Sequence, residues 1–405
     1  MPPTKPRIET FPARAVRWIA SIAVGLAALG AVLVAGGYRW GPERFWLLAF
    51  IEYLPYPVHL VPALTAVICS LALGRGWRLV ALGTLALVLW GVMGLELHGG
   101  VPADAGLGVR VMTYNIKSHL AAARPDGFAQ LAREIDAHAP DILLLQDAGE
   151  PSALRSLPVP PVAALAGHRQ RYTVGQFMVA SRYPLRDCAP GTTRSGTPSD
   201  AYVRCIVDID GLDIDLYSVH LRTPRQGLYA ARREALDGVD EWERNIDDRM
   251  AQAHDLAASI RKATRPVILG GDFNASQSSL VVRALLETGV RDAFSAAGFG
   301  FGYTYGHAAR PGFSFLRIDH VFVSRDIGVA DCDAGGREGS EHRPVIADLL
   351  LRDGSVRAPR LAAAAAHATV SAALALTRAG DAARSAVASS PLPTTRLPRR
   401  DDPRV

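Results

Sequence analysis

The sequence predicts an α+β domain that is preceded by three membrane helices. Two observations support this fold class. The first hundred of the 405 residues contain three long apolar segments. From about residue 109 onward, short apolar runs alternate with polar and glycine-rich segments, a pattern typical of strands and turns. Several of these runs end in polar side chains, and the points where strands meet loops are where a sandwich or an α/β fold gathers a functional site.

The three apolar segments lie at about residues 16–37, 57–73 and 79–97. The first is long enough to cross a hydrocarbon core of about 30 Å as a helix. A cleaved signal peptide would explain one such segment but not three. The alternative, buried helices of a soluble domain, is disfavoured because these segments are apolar on nearly every face. We therefore expect residues 1–100 to form a multi-pass anchor in the cell membrane.

The positive charges near these segments predict the orientation of the anchor. Basic residues precede the first segment and occupy the loop between the second and third, whereas none lies between residue 98 and Arg110. An inside N-terminus and three crossings would place the following domain outside the cytoplasm. This conclusion requires an odd number of crossings. The basic residues concerned are Lys5, Arg7, Arg14 and Arg17 before the first segment, and Arg75 and Arg78 in the loop.

The most informative motif is the apolar run at residues 266–269, which leads into two glycines and then Asp272 and Asn274. Residues two apart on an extended segment point the same way, so both side chains would face one target while Phe273 packs behind them. The glycines would let the backbone turn sharply. A Gly-Asp-x-Asn sequence also forms Asx turns readily, so the alternative to a catalytic pair is a purely structural turn.

Similar polar residues lie at other strand-like runs. Four of them follow or end such runs, and a Glu-His pair stands just before the last run, at residues 345–351. These residues are Asn115, Asp147, His220, Asp319, Glu341 and His342.

Three of these motifs in one chain resemble the endonuclease/exonuclease/phosphatase superfamily of metal-dependent phosphohydrolases. The motifs are Gly-Asp-Phe-Asn at 271–274, Arg-Ile-Asp-His at 317–320 and Ser-Glu-His-Arg-Pro at 340–344, and the resemblance runs from about residue 109 to residue 351. It implies a four-layer αββα sandwich, as in deoxyribonuclease, with its site at one edge. The three preceding apolar segments are similar to the membrane-anchored bacterial branch, which includes proteins associated with glycopeptide-antibiotic resistance.

The resemblance also implies a role for each polar residue. It places metal and phosphate ligands on the first two strands, a phosphate-binding histidine on a later one, and a water-activating and phosphate-orienting pair after the glycines. An aspartate would orient the last histidine, and a glutamate would stand beside the metal. The metal and phosphate ligands are Asn115 and Asp147, and the phosphate-binding histidine is His220. The water-activating and phosphate-orienting pair is Asp272 and Asn274. Asp319 would orient His342, and Glu341 is the glutamate beside the metal.

The sequence departs from the family pattern at two carboxylates. The family usually has Gln-Glu where this chain has Gln146-Asp147, and Ser-Asp-His where this chain has Ser340-Glu341-His342. One carboxylate is shorter by a methylene and the other longer, so the two changes would compensate if both flank one metal ion. Mg²⁺ is the expected ion, with Mn²⁺ as a substitute, because oxygen ligands suit both.

The expected chemistry follows from charge. Attack on a phosphoryl group spreads negative charge over its oxygens, and a bound cation with fixed donors stabilises that charge. His220 and His342 are the predicted donors, with Asp319 keeping His342 in one tautomer and favouring its protonated form. His320 lies between Asp319 and an apolar strand, and we interpret it as structural.

Two further features concern substrate contacts and the support of the site. Arg222 and Arg225 follow His220 in a loop, where two guanidiniums would grip an anionic head group, although they would also suit an ordinary surface. A helical stretch is predicted at residues 227–264. Its Arg249 and Gln252 lie three apart on one side, a face that would pack or hydrogen-bond under the site unless it is simply solvated.

Charge and cysteine content narrow the setting. The net charge is +5 overall, but residues 108–352 carry 28 basic and 30 acidic residues. A duplex-binding domain usually has a basic face, so duplex nucleic acid is an unexpected partner and a small or membrane-borne phosphate ester fits better. Cys188 and Cys205 flank a predicted hairpin; they would form a disulfide outside the cytoplasm and stay thiols inside it.

The predicted organisation is therefore an anchor at 1–100, a linker at 101–108, the catalytic domain at 109–352, and an Ala-rich then disordered Pro/Arg tail at 353–405. The predicted function is a membrane-anchored phosphoric ester hydrolase that acts outside the cytoplasm. The resemblance implies a lipid-linked phosphate or pyrophosphate as substrate. The alternatives are an extracytoplasmic nuclease and a catalytically silent binding domain. No protein partner is inferred.

Overall fold

The structure is a computed structural model that describes residues 11–100, 106–191, 193, 201–233, 238–306 and 312–351, without the side chains of residues 11–13. The predicted tail at 353–405 and residues 101–105 of the predicted linker lie outside the described residues. The predicted domain start at 109 is two residues late, because the first strand of the domain already begins at Leu107.

Within the described residues, the N-terminal segment that the sequence predicts to be an anchor, called the anchor below, contains four α-helices. They are α1 (Phe11–Trp40), α2 (Trp46–Glu52), α3 (Leu60–Ser70) and α4 (Arg75–Ala86), which continues as a π-helix over Leu87–Val92; short 3₁₀ turns at Pro42–Arg44 and Tyr56–His59 precede α2 and α3.

Two helical segments are long and apolar enough to cross a membrane, namely Arg14–Trp40 and Arg75–Val92. The second predicted segment is different. Trp46–Glu52 and Tyr56–Ser70 are bent by 103° relative to each other, and only the pair taken as one span would add a third crossing. Pro55 and Pro57 lie at the bend, where a missing amide proton interrupts a helix.

The third predicted segment, 79–97, is shifted in the structure. The helix begins at Arg75 and ends with Val92, and Gly94 follows in the left-handed conformation that commonly terminates helices. Glu96–Leu97 then forms strand β1, which pairs with residues 299–300 of the following domain. The chain therefore leaves the anchor earlier than its hydropathy predicted.

Helices α1, α3 and α4 pack against one another through small side chains. Ala20 and Val24 of α1 meet Ala66 of α3 and Ala81 of α4, and small residues at such contacts are typical of helices in membranes. The outer faces expose large apolar side chains, including Trp18 at 68%. Such an exterior suits contact with lipid rather than water.

The domain that follows contains strands β2 to β14. In chain order they are β2 (Leu107–Asn115), β3 (Ile142–Gln146), β4 (Gln170–Val174), β5 (Phe177–Ser181), β6 (Leu185–Pro190), β7 (Tyr202–Ile209), β8 (Leu212–His220), β9 (Val267–Asp272), β10 (Arg291–Asp292), β11 (Phe299–Gly300), β12 (Asp319–Val323), β13 (Ile327–Ala334) and β14 (Val345–Leu351). The domain helices are α5 (Ser118–Ala122), α6 (Gly127–His138), α7 (Pro161–Ala164), α8 (Arg225–Arg233), α9 (Val239–Arg261), α10 (Leu280–Leu286) and α11 (Ala293–Ala297), and Ser152–Leu154 is a 3₁₀ turn.

Within the described residues, twelve of these strands form two six-stranded sheets that face each other, and β11 pairs with β1 instead. The first sheet has the order β13-β14-β2-β3-β5-β4 and the second β10-β12-β9-β8-β7-β6. Apolar side chains of both sheets fill the space between them, such as Val111 and Leu144 against Leu216 and Ile268. Helix α6 covers the outer face of the first sheet, and α9 with α10 covers that of the second. The fold is thus the expected two-sheet sandwich with helical outer layers.

Strand register brings the site residues to one edge of the sandwich. Strands β2 and β3 are parallel and pair Asn115 with Gln146, and β8 and β9 are parallel and pair His220 with Asp272. The antiparallel strand β12 begins at Asp319, opposite the same Asp272. Because these strands end or begin at the same level, their polar termini meet between the two sheets.

A disulfide links Cys188 of β6 to Cys205 of the adjacent strand β7. Of the two arrangements left open by the sequence, the structure contains the bonded one.

Candidate active site

Asp272 lies at the centre of the site and is 1% exposed. Its Oδ2 accepts a hydrogen bond from Asn115 Nδ2 at 2.9 Å, and its Oδ1 accepts one from the backbone N–H of Asn274 at 2.9 Å. Asn115 belongs to the first sheet and Asp272 to the second. The carboxylate is therefore fixed by donors from both halves of the sandwich.

The two glycines before Asp272 act differently from the prediction. Gly270 and Gly271 are regular members of β9 and make no sharp turn. A Cβ at Gly271 would lie 1.9 Å from the carbonyl oxygen of Val219, and one at Gly270 would lie 3.0 Å from Leu144 of the opposite sheet. Glycine is needed here because the neighbouring backbone and the facing sheet leave no room for a side chain.

Asn274 is also placed differently from the prediction. It does not continue an extended segment, because its φ of 49° is left-handed. Its backbone closes an Asx-type turn on Asp272, which was the alternative interpretation of the sequence. The side-chain Nδ2 donates to the carbonyl oxygen of Leu221 at 2.9 Å. This bond joins the turn to the loop that follows His220.

Two histidines converge on the Oδ2 of Asp272. The distances to this oxygen are 3.5 Å from His220 Nε2 and 3.7 Å from His342 Nε2. The opposite ring nitrogens are held by other side chains. His220 Nδ1 lies 2.5 Å from Gln176 Oε1, and His342 Nδ1 lies 2.9 and 3.2 Å from the two oxygens of Asp319. The expected contact between Asp319 and His342 is thus present.

The surroundings of His342 favour its charged form. Burial by itself lowers the pKa of the imidazole, but the charges of Asp319 and Asp272 and the hydrogen bond that His342 Nδ1 donates to Asp319 outweigh burial and raise the pKa above its usual value. His342 therefore stays a proton donor at higher pH than a free histidine does.

The sequence analysis did not identify Lys117 or Gln176. The Nζ of Lys117 lies 2.5 Å from Asp147 Oδ2, and the Oδ1 of Asp147 lies 3.7 Å from His220 Nδ1. Burial alone raises the pKa of the Asp147 carboxyl, yet His220 and Lys117 bring it below its usual range. Lys117 lies two residues after Asn115, so its position at the end of the same strand was the available signal.

The site contains ligand atoms that suit a divalent cation. Asp272, Asp319 and His342 each offer one atom, and these atoms lie within 4.8 Å of one another. Asn115 and Asp147 add nearby side-chain oxygens, and this oxygen-rich set with one imidazole fits a hard ion such as Mg²⁺ or Mn²⁺. The cluster differs from the predicted ligands Asn115, Asp147 and Glu341.

Glu341 and Arg225 lie at the rim of the site. Arg225 Nη2 is 3.7 Å from Glu341 Oε2 and 3.2 Å from the hydroxyl of Tyr305. The ring of Tyr305, which the sequence analysis did not single out, lies 4.9 Å from the ring of His342. Arg225 therefore stands beside the entrance to the site, where the sequence predicted a substrate contact.

Arg222 does not share that position. Its guanidinium lies 2.5 Å from Asp248 of α9, and its backbone N–H donates to Gln252 of the same helix. The structure does not pair Arg222 with Arg225, because Asp248 on α9 binds the Arg222 guanidinium, and a substrate contact by Arg222 stays a prediction. The spacing of residues in the loop could not reveal this partner.

His320 lies outside the site, as interpreted from the sequence. Its Nε2 lies 2.9 Å from the carbonyl oxygen of Ala275, and its ring contacts Phe273 and Phe322. On its other side, Nδ1 lies 3.6 Å from Asp292. These contacts join β12 to the loop behind Asp272.

The fold and the site together define a phosphoesterase of the two-sheet sandwich type. A family model described as "Endonuclease/Exonuclease/phosphatase family" matches residues 112–342, more than half of the chain. The chain belongs to this family. Enzymes of the family hydrolyse phosphoric esters and use divalent metal ions. A search among curated proteins finds no significant match.

Several solved structures are similar to this chain at low sequence identity. An endonuclease/exonuclease/phosphatase from Beutenbergia cavernae is 20% identical, with 60% of this chain and 72% of that chain covered and a TM-score of 0.45. A mannosyl-6-phosphatase from Bacteroides thetaiotaomicron is 17% identical, covering 60% and 100%, with a TM-score of 0.43. A 3'-5' exonuclease from Neisseria meningitidis is 19% identical, covering 59% and 98%, with a TM-score of 0.43.

Proposed function

We propose that this protein is a membrane-anchored, divalent-metal-dependent hydrolase of phosphoric esters that acts outside the cytoplasm on a lipid-linked phosphate or pyrophosphate. The observation that carries the hydrolase proposal is the buried constellation around Asp272 Oδ2. An amide and two imidazoles converge on this oxygen within 2.9 to 3.7 Å. Such a set of donors and acceptors can hold a phosphoryl oxygen and activate a water molecule.

Each residue has a proposed task in the reaction. Asp272 accepts a proton from the attacking water, because its carboxylate is fixed by Asn115 and by the backbone of Asn274. His220 and His342 donate to phosphoryl oxygens and stabilise the charge that develops there. Asp319 keeps His342 in the tautomer that points Nε2 into the site. Asn115 and Asp147, whose side-chain oxygens are close to these groups, would hold a divalent cation, which would supply further neutralisation of phosphoryl charge.

The packing of the anchor supports an extracytoplasmic domain. The C-terminal end of α1 meets the domain, because Arg283 donates to the backbone carbonyls of Tyr38 and Arg39. The end of the segment Arg75–Val92 does so as well, since Tyr303 donates to the carbonyl of Met93. The N-terminal ends of these two helices therefore lie on the side away from the domain. Helix α3 runs from the domain side back to that side.

Basic residues cluster on that distant side. Arg14 and Arg17 begin the first candidate span, and Arg75 and Arg78 begin the last one. Because positive residues favour the cytoplasmic side, the domain would lie on the opposite side. The disulfide between Cys188 and Cys205 agrees with this orientation, since such bonds persist outside the reducing cytoplasm.

A cavity at the junction of anchor and domain supports a lipid-linked substrate. It has a volume of about 420 Å³ and is partly open. Anchor residues Pro57, Leu60 and Met93 line one side, and aromatic residues of the domain, including Tyr303, line the other. Tyr303 is two residues from Tyr305, which packs against His342. We propose that an ester attached to a hydrocarbon chain places its chain here and its phosphate in the site.

One set of assays tests this proposal. The full-length protein, in lipid nanodiscs with Mg²⁺ or Mn²⁺, is offered a polyprenyl pyrophosphate, bis-nitrophenyl phosphate and plasmid DNA. We expect orthophosphate release from the lipid and little nicking of the plasmid. Preferential nicking would instead establish a nuclease, and inertness toward all three substrates would establish a silent binding domain.

The proposed orientation has its own test. A periplasmic-type reporter enzyme that is active only outside the cytoplasm is fused after Leu351. We expect an active reporter, with a fusion at the Gly74 turn as the inactive control. The reverse pattern would place the catalytic domain inside and exclude an extracytoplasmic substrate.

A further inference from the structure

The loop that follows Asp272 is held by the anchor as well as by the domain. We define the catalytic loop as residues 274–280. The hydroxyl of Tyr53, between α2 and the 3₁₀ turn of the anchor, donates to the carbonyl oxygen of Asn274 at 2.7 Å. Arg249 of α9 donates from Nη1 to the hydroxyl of Tyr53 at 2.5 Å, and the same Nη1 lies 3.3 Å from that carbonyl oxygen.

Two acidic residues of the anchor bind the rest of the catalytic loop. Glu52 Oε1 accepts a hydrogen bond from Ser276 at 2.5 Å. Glu43 accepts one from the backbone N–H of Leu280 at 2.9 Å and another from the hydroxyl of Ser279. Three anchor residues thus contact the catalytic loop from its first residue to its last.

These contacts are shielded from water. Arg249 and Glu52 are fully buried, Tyr53 is 8% exposed, and Asn274 is 6% exposed. The guanidinium of Arg249 also lies over the rings of Tyr53 and Trp242, at 5.5 and 5.6 Å. Hydrogen bonds with a charged donor are stronger than neutral ones, and water cannot replace them in a buried site.

The backbone of Asn274 matters because one of the two peptide groups that meet at this residue holds Asp272 and the other is held by Tyr53. The N–H of Asn274 donates to Asp272 Oδ1, and the carbonyl oxygen of Asn274 accepts hydrogen bonds from Tyr53 and Arg249. A left-handed conformation at a residue other than glycine is unfavourable and persists only where its surroundings determine it. The donors to the carbonyl fix one side of this turn, and Asp272 lies on the other.

We propose that Tyr53, itself oriented by Arg249, is a positioning residue for catalysis, so that the anchor is part of the catalytic machinery and more than a tether. This inference rests on the proposed hydrolase function. Loss of the Tyr53 hydroxyl would let the turn at Asn274 relax and would shift the Asp272 carboxylate relative to the attacked phosphorus. Such a shift slows the chemical step more than it weakens substrate binding.

The test compares tyrosine variants in the full-length protein in nanodiscs, with bis-nitrophenyl phosphate as the substrate. We expect Tyr53→Phe to lower kcat about tenfold with KM changed less than about twofold, because misplacement by a fraction of an ångström has effects of this order. Tyr38→Phe is the matched control. Tyr38 is a buried tyrosine of the anchor whose hydroxyl has no hydrogen-bond partner among the described residues.

A second variant provides an independent measurement. Arg249→Lys keeps the charge but changes the geometry at Tyr53, so it should lower kcat in the same way. The double variant should be little worse than either single variant, because both act on one carbonyl group. If Tyr53→Phe does not fold, the effects on kcat and KM are measured for Arg249→Lys alone.

The outcomes separate this inference from the function on which it rests. Folded Tyr53→Phe with kcat within twofold of the unaltered protein, or an equal loss in Tyr38→Phe, would overturn the positioning role and leave the hydrolase intact. Additive losses in the double variant would also overturn it. An unaltered protein that hydrolyses no phosphoric ester would instead refute the hydrolase, and the positioning role with it.

Discussion

At the scale of single residues, charge determines the state of His342. Its raised pKa keeps the imidazole protonated as pH increases, so activity that needs this donor should be lost only when pH rises through that raised pKa. Asp319 contributes both the charge and the hydrogen bond responsible. The pair therefore sets the basic side of the pH profile.

We predict that Asp319→Asn moves the basic limb of the kcat profile to lower pH by about one unit, because removing an adjacent negative charge lowers the pKa of a histidine by this order. The shape of the side chain is kept, so folding should be preserved. The measurement is kcat as a function of pH for both proteins. A basic limb that stays in place would show that His342 is not the group that titrates.

Lys117 introduces a positive charge beside the candidate metal ligands. Burial alone lowers the pKa of its ammonium group, but Asp147 and Asp272 outweigh burial and raise the pKa, so the group stays charged. A fixed cation there should oppose the binding of a second cation.

We predict that Lys117→Met increases the affinity for Mn²⁺ about tenfold, since one nearby like charge is removed from a partly buried site. Isothermal titration calorimetry measures this without reference to turnover. Lys262→Met is the control, because Lys262 is exposed at the end of α9. Unchanged or weaker affinity in Lys117→Met would mean that the ion binds away from Lys117.

At the scale of elements, sequence reasoning located the strand ends well. The residues at those ends meet because β2 with β3, and β8 with β9, are parallel neighbours. The resemblance to the family implied a sandwich with its site at one edge but not these strand pairings. The glycines of β9 show the limit. The sequence predicted a turn at these glycines, whereas they are needed because Val219 and the facing sheet lie too close for a side chain. Close approach between strands leaves no local pattern in the sequence.

We predict that Gly271→Ala lowers the free energy of unfolding by about 3 kcal/mol, because a Cβ would overlap the carbonyl of Val219 and force the parallel pair apart. Gly108→Ala is the matched control, since Gly108 also lies in a strand but has open space at its Cβ position. Chemical denaturation of both variants measures the difference. Equal stability would show that β8 and β9 can separate at little cost.

At the scale of the whole molecule, the contacts between anchor and domain were the least predictable feature. Tyr53 and Asn274 are 221 residues apart, and neither periodicity nor motif spacing indicates such a pairing. One prediction was close to these contacts: the helix face with Arg249 and Gln252 was expected under the site. Arg249 does lie beneath the Asn274 carbonyl. Hydropathy predicted where the apolar helices lie but not how they bend or what they contact.

These contacts give the molecule one continuous scaffold from the apolar N-terminal helices to Asp272. The catalytic loop is bounded by the domain on one side and by Glu43, Glu52 and Tyr53 on the other. A substrate held in the same membrane would meet a site whose geometry depends on the membrane segment itself. This arrangement distinguishes the proposed enzyme from a soluble phosphoesterase that is merely tethered.

The most direct measurement of the central claim is phosphate release from a polyprenyl pyrophosphate by the full-length protein and by Asp272→Asn, each in nanodiscs with Mg²⁺. Asparagine keeps the size of the side chain but cannot accept the proton of the attacking water. We predict measurable release by the unaltered protein and a loss of at least about a thousandfold in Asp272→Asn. Equal rates for the two proteins would contradict a reaction centred on Asp272.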